Sequence, residues 1–296
     1  MATGNITVTT AANFIPEIWA KDAQLATENN LVTAKLVNTQ FESDMEYGDT
    51  LHIPQVSNLT ARAKSAGTDV TFETFTEGVI DVSINKHYYA AFKVEDIVEI
   101  QANQDLRARY TDKMGYALAK QMDADLLGLY SGLSQSVGVQ GTNITEANFL
   151  RAVQYLDDAD APAGDRFAII TPAQMHAILN ISNFVLQSSV GYSSVNSPKV
   201  TAALEGGLFD PTKVKGLFGM MYGVLVYVSG NIQTTGTSPL SYHNLLFHRD
   251  AFLLIRQQDI RVQAQYKVES LATDVVADTI YGVAEYRDAF GVRILS

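Results

Sequence analysis

Residues 94–133 read VEDIVEIQANQDLRARYTDKMGYALAKQMDADLLGLYSGL, and the rest of the chain is placed relative to them. The stretch opens with Glu95 and Asp96, passes Asn103, Gln104 and Asp105, and then runs without proline through strong helix formers, which predicts one long helix. Its apolar residues Leu106, Tyr110, Met114, Leu118, Met122, Leu126 and Tyr130 recur in a strict step of four. Against the helical repeat of about 3.6 residues, each step advances the stripe by ~40°, so the stripe winds round the helix and meets different partners along its length. At ~1.5 Å per residue the helix would be on the order of 40 Å long, a spine rather than one layer of a sandwich.

Immediately before the spine, apolar or large residues occupy the even positions Ile80, Val82, Ile84, Lys86, Tyr88, Ala90, Phe92 and Val94. The Lys86 stem can lie on apolar surface. Odd positions are polar except Tyr89 and Ala91, so the period is two and the segment is predicted to be a single strand of roughly 50 Å. Its expected partner is Thr50 to Val56, where Pro54 marks an edge because it cannot donate to a ladder. Ser57 to Glu77 would be the loop tip of a projecting two-stranded ribbon. Such a ribbon is marginally stable by itself and calls for support from outside its own chain.

Upstream, Met1 to Thr10 is a polar, Thr-rich arm, and Phe14 to Asn38 is helical material with Pro16 and Glu17 suited to a first turn. Arm helices and core helices share this periodicity, so its role stays open at this point. Downstream, Asn143-Ile144-Thr145 should cap a helix bearing Phe149, Leu150, Val153 and Leu156, and residues 157–164 should turn. Phe167 to Ile170 should be a buried strand, and Thr171-Pro172 should start a helix through Leu179. A softer loop from Ser182 to Lys199 precedes strands at about Gly216–Met220 and Val224–Val228, a polar loop from Asn231 to Pro239, and a strand at Leu245–His248. Ile260 to Val268 alternates as a half-buried strand leading to a mixed C-terminal tail.

The 296 residues, 47% of them hydrophobic, are enough for a sizeable core and two or more lobes. With 32 acidic residues against 21 basic, the net charge of −11 argues against tight binding to phosphate backbones. There is no cysteine, which excludes disulfides, thiolate metal sites and cysteine nucleophiles. The N-terminus lacks the basic and apolar regions of a secretory signal, which predicts synthesis in the cytosol, and no apolar run reaches membrane-spanning length.

Chemistry is sparse. The histidines 52, 87, 176, 243 and 248 are scattered, and the spacing of His243 and His248 fits neither a helix face nor a strand face. Asp157, Asp158 and Asp160 lack the glycine and glutamate of a calcium loop. Asp123 and Asp125 lie two apart on the spine and point differently, which argues against a catalytic pair. No Walker, dinucleotide-binding or G-x-S-x-G pattern occurs; Gly132-Leu133-Ser134-Gln135-Ser136 fails at its last position. Gly206-Gly207 reads as a loop pair. No catalytic residue, cofactor or metal is expected, whereas the arm and ribbon ask for partners.

An arm, a long ribbon, a spine helix, an α/β lobe and a return strand, in that order, resemble the major capsid protein of tailed bacteriophages, with its Hong Kong 97-like fold. Five motifs carry the resemblance: Phe14 to Trp19 (FIPEIW), Leu31 to Asn38 (LVTAKLVN), Gly48 to Pro54 (GDTLHIP), Ala91 to Asp96 (AFKVED), and Tyr116–Ala119 with Asp123–Asp125. The resemblance implies an α+β fold with an N-terminal arm (1–40), an extended loop (41–94), a spine helix and peripheral domain (95–145), an axial domain (146–250) and peripheral return strands (251–296). It implies hexamers and pentamers of an icosahedral shell in the virion, assembled in the host cytoplasm around double-stranded DNA held without tight sequence-specific binding. No membrane is involved, and scaffolding, portal and decoration proteins would be separate chains. Some relatives crosslink a ribbon lysine to an asparagine; Lys64 is placed for the first, while no asparagine follows Asn244. Arg62, Lys64, Phe14 and Trp19 are the candidate inter-subunit contacts. The alternatives are an encapsulin-like nanocompartment enclosing a cargo enzyme, and a small-ligand enzyme using the α/β lobe.

Overall fold

The computed structural model describes residues 32–45, 47–55, 61–70, 72, 78–96, 106–180, 217–236 and 240–296. Within the expected arm, residues 1–31 with Phe14 and Trp19 lie outside the described residues, as do residues 57–60, 71 and 73–77 of the loop from Ser57 to Glu77, the loop from Ser182 to Lys199 and the pair Gly206-Gly207.

Helix α1, Leu106–Leu127, is the spine, and it closes in a 3-10 turn at Gly128–Ser131. Its 22 residues correspond to ~33 Å. The winding stripe does change partners. Met114 and Leu118 pack with Val275, Ala277, Tyr88, Ala90 and Phe92. One turn further on, Met122 and Leu126 enter the large core with Phe149, Phe167, Leu245 and Phe252. At the other end Tyr110 is 49% exposed, with its ring 5.4 Å from that of Phe92. The expected helix opening at Glu95 is corrected: Glu95 pairs with Ala272 as the last residue of a strand, and Asp96 N donates to Leu271 O.

Strands β1 (Thr50–Gln55) and β2 (Gly78–Ser83) form the two-stranded ribbon, with Pro54 opposite Val79. The single long strand expected over Ile80–Val94 is instead two strands, because β3 (Lys86–Glu95) leaves the ribbon and pairs with β11 (Ala272–Glu285). The side-chain alternation continues through the break. Even positions from 80 to 94 are at least half-buried and odd positions are exposed. The change of partner occurs at Ile84–Asn85, where Gly282 lies so close that a Cβ on it would stand 2.7 Å from Ser83 O. Only a bare backbone admits that approach.

β11 lies between β3 and β10 (Phe252–Lys267) in a three-stranded antiparallel sheet. The mixed tail expected after Val268 is therefore in large part the 14-residue strand β11. Half-burial of Ile260–Val268 is also corrected. Val262 and Tyr266 share a face with Val275, but α1 covers Val275 and leaves them 46% and 48% exposed.

The remaining strands are β4 (Gln135–Gly138), β5 (Arg166–Ile170), β6 (Leu217–Met221), β7 (Val224–Val228), β8 (Thr234–Thr235), β9 (Ser241–His248) and β12 (Gly291–Leu295). They build a second sheet in the order β4-β12-β9-β5-β7-β6, with β8 against β9. Every residue of β5 is buried. Helix α2 (Glu146–Asp158) is capped by Thr145 Oγ1, which accepts from Asn148 N, and α3 (Pro172–Leu179) is capped by Thr171 with proline in the first turn. Phe149 and Leu156 of α2 are buried as the spacing predicts, but Leu150 is 42% exposed and Ala152 takes the inner position. The acidic turn is held by buried Arg166, which donates to Asp157 Oδ1 and to the carbonyls of Ala161 and Pro162.

Candidate assembly surfaces

Asp123 and Asp125 are two residues apart and serve two different junctions. Asp123 is buried; its Oδ1 accepts from Thr33 N at 2.8 Å and its Oδ2 from Asn231 Nδ2 at 3.0 Å. It thus pins the start of the described chain and the loop after β7 to the spine. Asp125 Oδ2 accepts from Tyr281 OH at 2.8 Å and lies 3.2 Å from Lys86 Nζ, next to the β2–β3 break. Burial, and then the hydrogen bond to Asp125, push the Tyr281 phenol far up, so it stays a donor. Neither carboxylate meets a nucleophile or a metal partner. Among the described residues no His, Asp and Glu group could hold a metal ion.

Two of the histidines, both on β9, are held in packed contacts. His243 stacks flat on Tyr130, ring centroids 4.0 Å apart, and its Nε2 lies 2.9 Å from Thr235 Oγ1. His248 Nδ1 accepts from Asp250 N. Burial lowers both rings' pKa, with Arg293 adding to the effect at His243. On the other side of the lobe, Tyr222 hydrogen-bonds Glu146, which together with burial pushes the phenol up to about 12.

The surfaces left open are extended ones. The ribbon is rooted by Met45, Ile53 and Val82, which pack on Leu253 and Ile255. His52 Nδ1 lies 2.5 Å from Asp81 on its exposed side. At its far end residues 61–70 are all exposed, among them Arg62 and Lys64. Val70 and Phe72 are 64% and 90% exposed. The other two candidate contacts, Phe14 and Trp19, lie outside the described residues.

The β10–β11 hairpin is a surface that sequence reading missed. Val268 and Leu271 at its turn are 73% and 62% exposed, and Leu271 takes a left-handed φ of 43°. On its outer face Asp278 accepts two bonds from the Arg261 fork and one from Gln258, with His87 3.5 Å away. Arg261 first, and then Gln258, hold its carboxyl below the usual range. Lys267 does the same for Asp274. The available signal was the density of Thr, Val, Ile and Tyr in 272–283. It was blurred because Val276 and Ile280 put apolar side chains on the outer face as well.

The described surface is dominated by a two-stranded ribbon and a hairpin with a half-uncovered face. The chain belongs to the phage capsid protein family, whose model matches residues 79–292. No curated protein matches the sequence. Solved structures with similar folds include one from Mycobacterium phage Che8, 23% identical over 95% of this chain and 97% of that one, with a TM-score of 0.68. A capsid structure of cyanophage P-SCSP1u is 15% identical over 99% and 95%, TM-score 0.70. The head structure of Helicobacter pylori bacteriophage KHP40 is 12% identical over 100% and 99%, TM-score 0.64. The chain is a structural, shell-forming subunit of a bacteriophage capsid.

Proposed function

We propose that this subunit builds an icosahedral shell of the Hong Kong 97-like type from hexamers and pentamers, enclosing double-stranded DNA and catalysing no reaction. The observation that carries the reading is the ribbon, whose buried anchor among the described residues is at its root, while its tip region 61–70 is exposed throughout. A marginal two-stranded element of that kind is stabilised by lying on a neighbour. The net charge of −11 suits a container that releases its genome, since it opposes tight phosphate binding.

In this assignment residues 1–40 are the arm and 41–94 the extended loop. Residues 95–145 and 251–296 make the peripheral domain, and 146–250 the axial domain. Arg62, Lys64, Phe14 and Trp19 contact neighbouring subunits. Assembly takes place in the host cytoplasm, with scaffolding, portal and decoration proteins as separate chains. Electron microscopy of the purified protein, with nuclease-protected DNA measured on the same particles, tests the proposal. Shells with five- and six-fold capsomers holding DNA are expected. A monomer of 32.3 kDa under assembly conditions, or shells filled with protein cargo and no DNA, overturns it.

A further inference from the structure

The chain leaves the three-stranded sheet at Glu285, the last residue of β11, and enters the larger sheet at Gly291, the first of β12. In the joint between them Tyr286 N and Arg287 N both donate to Ala251 O, and Asp288–Phe290 forms a 3-10 turn. The end of the spine is fastened here. Asp288 Oδ1 accepts from Ser134 N at 2.7 Å and Oδ2 from Ser134 Oγ at 2.5 Å, and Ser134 leads directly into β4.

Half-buried Glu285 brings a second carboxyl to the same point. Its Oε2 lies so close to Gly132 that a Cβ there would overlap it, and the carboxyl hydrogen-bonds Asp288. Two carboxylates have no hydrogen to share, so one of the pair carries a proton. Both oxygens of Asp288 already accept from Ser134, which makes Asp288 the anion and Glu285 the acid. Burial first, and then the charge of Asp288 and the bond to it, raise the Glu285 carboxyl above its ordinary value. Charged groups on the elements packed around the joint include Arg287, over the Tyr286 and Phe290 rings, and Arg151 of α2, over Tyr155. Arg249 and Asp250 lie on the turn packed against Asp288–Phe290, with Asp250 bonded to Asn38. β10 places Phe252 opposite Glu285, and residues 128–135 carry no charge.

We propose that Glu285 and Asp288 are a one-proton latch on the joint between the two sheets, closed while Glu285 carries the proton and loosened when it ionises. Closed, the acid donates to Asp288 and leaves that carboxylate free to hold Ser134. Ionised, two like charges meet in a half-buried niche against Gly132, and the hydrogen between them is gone. The sense is opposite to that at Asp274 and Asp278, whose carboxyls are held low. A carboxyl raised by folding contributes its stability in full below the unfolded value of about 4.3, and loses it as pH rises through the raised folded value. The joint is therefore tightest in acid and slackens toward alkaline pH.

The test is thermal unfolding of the full chain between pH 4 and pH 8, with hydrogen exchange of the Ser134 amide corrected for its intrinsic pH dependence. Glu285→Gln keeps the shape and the donor without the charge. It is expected to match wild type at pH 4 and to exceed its Tm by ~1–3 °C at pH 8, the size of shift a single interaction makes in a chain this long. Ser134 protection should fall several-fold toward pH 8 in wild type and hold in Glu285→Gln. Asp288→Asn removes the neighbouring charge and should flatten the same part of the profile, even where it lowers Tm throughout. Glu269→Gln, exposed at the β10–β11 turn, removes an equal charge and should follow wild type at every pH. A Glu285→Gln difference that is the same at pH 4 and pH 8, or an unchanged slope in Asp288→Asn, overturns the proposal. So does a pH-dependent gain in Glu269→Gln equal to that in Glu285→Gln.

Discussion

At Asp123 one buried carboxylate satisfies donors from two parts of the chain far apart in sequence, Thr33 and Asn231. Asp123→Ala strands both donors, each costing ~1–3 kcal/mol, so a loss of about 2 kcal/mol or more is expected in urea unfolding of the subunit. Asp112→Ala, exposed on the same helix, should stay within about 0.5 kcal/mol. The ionisable residues also fix how the subunit answers acid. The folded values of His243 and His248 lie below the unfolded value of about 6.5, so the unfolded chain takes up protons first as pH falls. Their neutral-state stabilisation is whole above pH ~6.5 and is lost toward the lower folded values. Asp278 and Asp274 have the opposite chemistry and the same outcome. Held low by Arg261 and Lys267, they stabilise the fold above the ordinary carboxylate range and lose that contribution as pH falls through and below about 4. Tm should therefore fall in two acid windows, the first between pH 7 and 5. His243→Gln should flatten that first drop, and an unchanged slope would remove the histidine explanation.

The elements differ in how far sequence revealed them, for physical reasons. The spine and the Ile80–Val94 alternation were legible because period reports which side chains are covered. The break at Ile84–Asn85 was not, since its cause is Gly282, almost two hundred residues downstream, and the alternation keeps its phase across it. β11 was hidden because both of its faces carry apolar residues, and the exposure of β10 was hidden because alternation shows a face without showing what lies on it. The α/β lobe was legible from local punctuation: Thr145, Thr171-Pro172 and the acidic turn all sit where caps and turns require them. Of the candidate contact residues, Arg62 and Lys64 are exposed at the tip, but a contact between subunits is not a property of one chain's periodicity. Two substitutions test the elements. Leu118→Ala opens a cavity under the three-stranded sheet and is expected to cost ~2–5 kcal/mol, whereas Tyr110→Ala on the same stripe should cost about 1 or less. Gly282→Ala forces a Cβ against the Ser83 carbonyl and should destabilise by ~1–3 kcal/mol. Denaturant midpoints compared across the three variants check the order, and a Tyr110 cost equal to that of Leu118 would contradict the winding stripe.

At the scale of the whole molecule, the charges of the ribbon are unevenly distributed along the sequence. From Leu36 to Asn85 the only Lys and Arg residues are Arg62 and Lys64, while Glu42, Asp44, Glu46, Asp49, Asp69, Glu73, Glu77 and Asp81 lie along the rest. A positive tip on an acidic ribbon, in a subunit of net charge −11, is expected to be drawn to acidic surface on a neighbour and repelled where two ribbons meet wrongly. Each exposed pair is worth only ~0–1 kcal/mol, too little to matter for the fold. In a closed assembly the same small term recurs in every subunit, so it bears on the rate at which encounters become productive. Arg62→Glu combined with Lys64→Glu is therefore expected to leave the subunit's Tm within about 1 °C and to slow assembly several-fold at low salt. Near 0.5 M salt, where the screening length falls to ~4 Å, the difference should largely vanish. Light scattering of assembling subunits at the two ionic strengths measures this. Equal rates for variant and wild type at low salt would mean that the tip is guided by shape alone, through exposed Val70 and Phe72, and that its charge is incidental.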